Sequence, residues 1–541
     1  MITTHGVGAS VPRCVVKALT PMRATTLLLL AAMYAVPAAA QTPAPKPRDT
    51  RLVEALKGGD TAAALALLQK RVDVNAPEAD GTTALHWAVR MNNLDLVNRL
   101  LRAGANPKAA NRYDVTPIQL ACLNGSAEAV GRLIEAGESA NATGPYGETA
   151  LMVCARSGNP EAARVLIGHG AAVDAVESWR GQTALMWASA QRHPEMMKVL
   201  IAAGADVDAR SALQHWERQR TLEPRDKWLP EGGLTPLLFA AREGCAECAR
   251  VLLDAKADIN GVDPDQQSAL ILALINGQYD AAAVLIERGI DVNMQDKVGR
   301  TALYAAVDDH TMPSSNRPSP KEIDNRLTSL DVIRMLLDHG AKIDAPLRAQ
   351  IPYRTKLDRG GDGALGIGTT PLIRAAKGGD VTVIKLLLEK GADAKATTRN
   401  GVSAIMMAAN VNAREEDMTG RNKTEKDVIE SMKLLIASGG DVKSAEAQGR
   451  TAMHGAAQWG LTDVVKFLQS QGANINATDR RGLTPLDHAE GRAGGFGFDG
   501  KAGVTREATA KAIRELGGTE GKATGEALPE RRANGAQDDT N

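Results

Sequence analysis

An all-α repeat solenoid is the fold class this sequence predicts, and three observations predict it: a recurring phrase, a fixed period, and glycines at matching offsets. The phrase reads GTTALHWA from Gly81, GETALMVCA from Gly147, GQTALMWA from Gly181 and GLTPLLFAA from Gly233. Its Thr or Ser recurs at Thr50, Thr83, Thr116, Thr149, Thr183, Thr235, Ser268, Thr301, Thr370, Ser403, Thr451 and Thr484, and seven of the eleven steps are 33 residues. A period of that length is too short for an independent domain and marks a stack in which each unit buries its apolar face on the next. Glycines fall nine residues after the Thr, at Gly125, Gly158, Gly244, Gly277, Gly379 and Gly460.

Each element of the unit has a local cause. Thr83 can satisfy free amides at the start of a helix, while Leu85 and Ala88 fall on one face at helical spacing. The glycine stops that first helix, because positive φ lets the chain reverse there. A second apolar pattern, as in AARVLIGHGA or VIKLLLEKGA, ends at Gly170 or Gly391 in the C′ position. A hairpin-like finger such as Val292 to Arg300 leads into the next copy. Hydrophobic residues make up 44% of the chain but aromatics only 3%, a balance suited to many short helices packed closely on Ala and Leu.

Phrase, period and punctuation resemble the ankyrin repeat, over about twelve copies between residues 48 and 518. That resemblance implies helix-turn-helix units with projecting fingers. It implies a recognition scaffold that binds a protein through its fingers and the concave face they form with the first helices, and no intrinsic enzymatic activity. His follows the Leu of the phrase only at His86 and His454, and elsewhere the slot holds Gln119, Met152, Met186 and others, so polar bonding between copies is expected to be reduced.

Domain organisation follows from what interrupts the period. Residues 1–40 read as a signal peptide: Arg13, Lys17 and Arg23 but no acid, an apolar run from Leu27 to Val36, then Ala38, Ala39 and Ala40 before Gln41. Met22 is the alternative start. Residues 41–48 read as a Pro-rich linker, 49–518 as the solenoid and 519–541 as a disordered tail. Five insertions break the period. Two lengthen fingers, at Ser211 to Pro230 and Ala345 to Gly368. Three lengthen the turn between paired helices, at about Asp308 to Arg326, Asn412 to Asp427 and Gly491 to Val504.

Charge and motif content exclude several function classes. The formal net charge is zero, with no block of one sign that would mark a nucleic-acid or membrane-binding surface. The nine histidines form no metal-ligand pattern, and the closest polar grouping, Asp308-Asp309-His310, opens an insertion and requires no metal. GFGFDGKA from Gly495 imitates a phosphate loop but has Ala502 where magnesium chemistry needs a hydroxyl. No catalytic residue, cofactor or metal is expected.

Two residue sets remain. Tyr113, Tyr146 and Trp179 fall on successive finger tips, with Trp216 and Trp228 in the insertion that follows. Exposed aromatic anchors are common hot spots, so these five are the candidate protein-binding residues. Trp87, Trp187 and Trp459 sit in helical phrases and read as packing residues. Cys122 and Cys154 occupy small slots in adjacent first helices and are expected to be buried and reduced. Cys245 and Cys248 form GCAEC at the start of a second helix, a redox-like spacing where amide donors stabilise a thiolate. There too the expectation is a reduced pair, with Cys248 pointing inward, and a disulfide or redox role is the competing reading. The expected protein is a monomeric periplasmic or secreted scaffold for an unidentified partner. The alternatives are a secreted factor acting on another cell, or an enzyme lodged in the insertions.

Overall fold

The structure is a computed structural model that describes residues 49–214, 231–311, 325–351, 364–413, 423–493 and 505–522. The chain divides after Asp49 into two units, and the second, Thr50–Asn541, holds every described helix. The leader and linker readings, the Gly495 to Ala502 segment, and Trp216 and Trp228 lie outside the described residues.

Among the described residues the secondary structure is helical, and the only strand-like pairings are isolated bridges at finger bases such as Thr143 with Thr149. Helices come in antiparallel pairs, from Arg51–Lys57 with Thr61–Gln69 to Pro485–Ala489 with Glu507–Glu515. First helices pack on first helices and second on second, along one core that runs from Leu52 to Ile513. No helix among the described residues is long and apolar enough to cross a membrane.

The recurring Thr starts each first helix as expected. Thr149, Thr183 and Thr235 take the amide three residues on, at 3.3 Å in each case. At His86 and Gln119 the side chain three residues on also reaches back to the Thr amide, at 3.1 Å in both, which satisfies two free donors reciprocally.

Three polar ladders tie the copies together. Fingertip amides donate to the preceding fingertip: Arg112 N to Asp80 O and Ala212 N to Arg180 O at 2.7 Å, Lys297 N to Asp265 O at 3.0 Å, Arg480 N to Gln448 O at 2.9 Å. Below the second helices, Asn75 Nδ2 donates to Gly104 O at 2.9 Å while its Oδ1 accepts Asn106 N at 2.7 Å, and Asn141 and Asn293 repeat the motif. In the turns, Asn159 Nδ2 donates to Cys122 O at 2.9 Å and Lys423 Nζ to Lys377 O at 3.0 Å, one copy reaching the helix end of the last. A β-carbon at Gly158, whose φ is +72°, would meet the His193 ring at 2.7 Å. That glycine therefore ends its helix and also makes room for the next copy's side chain.

Three expectations need correction. Gln119 does not weaken the phrase ladder: its Nε2 donates to Glu148 O at 3.3 Å, as His86 and His454 Nε2 reach Val115 O and Leu483 O at 3.0 and 3.2 Å. An amide spans the same gap as an imidazole. The disordered-tail reading does not hold at residues 519–521, where Thr519 N donates to Asn476 Oδ1 and Gly521 N to Asp487 Oδ2, both at 2.8 Å, and residues 523–541 lie outside the described residues. The cysteines are buried as expected but not reduced: Cys122 is bonded to Cys154, and Cys245 to Cys248. Cys122 and Cys154 face each other from adjacent first helices across a Cα separation of 4.6 Å.

The Asp308-Asp309-His310 grouping is helical, closing Ala302–Thr311 rather than opening a loop. Asp308 pairs with Arg374 Nε at 2.5 Å, Asp309 accepts the Tyr279 hydroxyl, and His310 lies 2.7 Å from Ser329 Oγ and 3.2 Å from Asp380 Oδ2. Each polar group there links neighbouring copies. No cluster of three or more His, Cys, Asp or Glu side chains suited to a metal occurs among the described residues.

Candidate protein-binding surface

Finger tips are tight turns organised by one polar side chain each. In the finger before the third copy, Asn111 Oδ1 accepts Tyr113 N at 3.0 Å and Val115 N at 3.1 Å. Two fingers on, the buried Glu177 carboxylate accepts Trp179 N at 2.6 Å, Arg180 N at 3.0 Å and Gln182 N at 3.0 Å. With their backbones fixed this way, the side chains of Tyr113 and Trp179 have nowhere to turn but outward.

Tyr146 reaches the same surface by a costlier route. It sits at φ +58°, ψ +21° between Pro145 and Gly147, a left-handed conformation that a bulky residue adopts only when its surroundings impose it. Its carbonyl accepts both Ser178 N and Ser178 Oγ at 2.7 Å, which holds the turn against the next finger.

The three residues are largely exposed, at 55% (Tyr113), 71% (Tyr146) and 60% (Trp179). Tyr146 and Trp179 do touch, with ring centroids 6.1 Å apart at 33°, so leaning and exposure coexist. Sequence reasoning missed their cationic partners: Arg112 Cζ lies 4.8 Å from the Tyr113 ring and Arg180 Cζ 4.4 Å from the Trp179 ring. Arg112 Nη2 also donates to the Tyr113 hydroxyl at 2.6 Å. It also missed two exposed apolar residues, Val176 and Leu213. The adjacency Arg112-Tyr113 and Trp179-Arg180 was the available signal for the cations; nothing in the sequence marked Val176.

Electrostatics beneath the tips are set by burial. Burial pushes the Glu148 carboxyl above its usual range, against the pull of Arg156 and with a push from Glu177. Glu148 nonetheless keeps Arg156 at 2.9 Å. Further along, burial raises Asp263 to about 6, helped by the charges of Asp265 and Asp296.

The tryptophans assigned to packing are half-buried on the first helices. Lys57 and Arg90 cover Trp87 at 5.9 and 5.3 Å, and Arg156 covers Trp187 at 5.3 Å. These rings contribute to the first-helix face but present less surface than the finger tips.

The family described as ankyrin repeats (three copies) matches residues 23–111, 118–211, 219–296 and 423–493, and the single ankyrin repeat matches 367–399. Among curated proteins the chain is 26% identical over 284 residues to the E3 ubiquitin-protein ligase KEG of Arabidopsis thaliana, covering 48% of this chain and 16% of that one. It is 40% identical over 87 residues to the human ankyrin repeat and KH domain-containing protein 1, covering 16% of this chain and 3% of that one. It is 29% identical over 229 residues to human ankyrin repeat and SOCS box protein 6, covering 40% and 46%. The chain thus spans less than half the length of each of these relatives. Among solved structures the human ASB11 ankyrin repeat domain aligns at 25% identity with a TM-score of 0.37, covering 44% of this chain and 96% of that one.

Proposed function

The chain belongs to the ankyrin-repeat family, and from that premise we propose that it is a cell-envelope scaffold that holds a partner protein on the finger tips of copies three to six. The family supplies the class, a protein-interaction scaffold. The observation that carries the site is the row of Tyr113, Tyr146 and Trp179, rigidly mounted, largely exposed and flanked by Arg112 and Arg180. Exposed apolar area of this kind is covered in a working complex. The arginines add charge-assisted donors, so the partner surface that fits presents carboxylates around an apolar patch. Trp216 and Trp228, which lie outside the described residues, are part of the same proposed binding set.

Export rests on the sequence of residues 1–40, and the protein is expected to act as a monomer without nucleic acid, metal or cofactor. N-terminal sequencing of the protein from its native cell should begin at or near Gln41. The binding proposal is tested by capture from that cell's envelope extract, with the wild-type chain and the Tyr146→Ala/Trp179→Ala chain as parallel baits. A protein retained by the first and lost from the second supports the proposal. Identical captures by both baits refute the site.

A further inference from the structure

Ten residues after the Thr of the phrase, copies four, five and six place a side chain in the turn between paired helices. Asn159 and His193 use that position to reach the preceding copy, with Asn159 Nδ2 donating to Cys122 O at 2.9 Å and His193 Nε2 lying 3.2 Å from Arg156 O. In the sixth copy the position is Cys245. Its sulfur bonds Cys248 and accepts the Cys248 amide at 3.1 Å, so its contacts run within its own helix. Asp60, Asn93 and Ser126 use the same position to cap their own second helices by accepting the amide three residues on, and Cys245 keeps that capping role while adding a sulfur that can exchange.

The local geometry suits exchange. Cys245 is the N-cap of the nine-residue helix Ala246–Asp254, and Cys248 is three residues into it. Free amides and the helix dipole at this end favour an anionic sulfur at Cys245 once the bridge opens. Both cysteines are buried, and Cys245, 5% exposed against 0% at Cys248, is the less enclosed of the two. Cys122 and Cys154 differ. Both are 0% exposed, in first helices of adjacent copies, and they serve as an internal reference.

We propose that Cys245–Cys248 is a thiol–disulfide exchange site that oxidises paired thiols on a second polypeptide. One thiolate of that dithiol attacks Cys245 Sγ, forming a mixed disulfide and releasing Cys248 as its thiolate. The second thiolate of the substrate then attacks its own sulfur in the mixed disulfide and releases Cys245. The substrate gains a disulfide, this chain gains two thiols, and two electrons pass from one to the other. The site lies at the far end of the first helix Pro236–Glu243 from its finger. It is independent of the fingertip surface.

The test uses the full chain, glutathione and a synthetic peptide with two cysteines. In reduced glutathione the Cys245–Cys248 bridge should open at least about tenfold faster than Cys122–Cys154, read by alkylation and mass spectrometry. Cys248→Ser, given oxidised glutathione, should carry glutathione on Cys245. Wild type should convert the peptide to its disulfide one for one. Cys245→Ser, which keeps a capping hydroxyl for the Cys248 amide, should stay folded and leave the peptide reduced. Equal opening rates for the two bridges, an unmodified Cys245, or a peptide left reduced by folded wild type would each overturn the proposal.

Discussion

Replacing Arg374 by Met should destabilise the solenoid locally, because it strands a charge that is nearly cut off from water. Arg374 and Asp308 are 5% and 6% exposed, with Nε and Oδ1 2.5 Å apart, and they join the first helices of copies eight and nine. At that separation and an effective dielectric of about 20, the attraction is roughly 7 kcal/mol, most of it offset by desolvation of both ions. Removing one partner leaves the other's desolvation uncompensated, so Arg374→Met should cost roughly 3–5 kcal/mol. Removing both, in Arg374→Met/Asp308→Ala, should cost roughly 2 kcal/mol less than the single change. Repeat arrays open piecewise, so a global melting curve averages the effect away. Hydrogen exchange in peptides covering 302–311 and 371–378 reads it directly, and urea preserves ion pairs during a parallel titration. A single variant as stable as wild type, or a double variant worse than the single, would refute the reasoning.

Two further outcomes test the stacking. Gly158→Ala puts a β-carbon at φ +72° and against His193, and should cost roughly 1–3 kcal/mol in urea unfolding, whereas Gly170→Ala, where a β-carbon meets nothing within 4 Å, should cost only the φ strain. Burial first, then the neighbouring His488 charge, lowers His454 to about 3. A histidine depressed in the folded state contributes stability above its unfolded value, and that contribution is lost as pH falls from about 6.5 toward 3. His454→Gln, which preserves the ladder as Gln119 does, should flatten the loss, measured as urea midpoints between pH 7 and 4.

Most of the fold was legible because its signals are local and repeated. A Thr cap, a left-handed Gly and a 33-residue step each constrain a few consecutive residues, and agreement over many copies removed ambiguity. What escaped the sequence was pairing across copies. Cys122 and Cys154 are 32 residues apart, and whether they meet depends on how adjacent helices are rotated, which a one-residue register shift does not announce. Arg374 with Asp308, 66 residues apart across an insertion, is the same case. The fingertip site was half legible. Aromatic positions and their exposure followed from the finger pattern, but the cations over Tyr113 and Trp179 and the left-handed backbone of Tyr146 needed coordinates.

The central claim is that exposed finger rings, not the first-helix face, hold the partner. Its most direct measurement is calorimetric affinity of the captured partner for two double variants. Tyr146→Ala/Trp179→Ala should retain wild-type helical content and lose roughly 2 kcal/mol or more, a Kd raised about thirtyfold. Trp87→Ala/Trp187→Ala should shift affinity by less than about threefold if it stays folded. Unchanged binding by the fingertip variant, with the loss falling instead on the first-helix variant, would contradict the account.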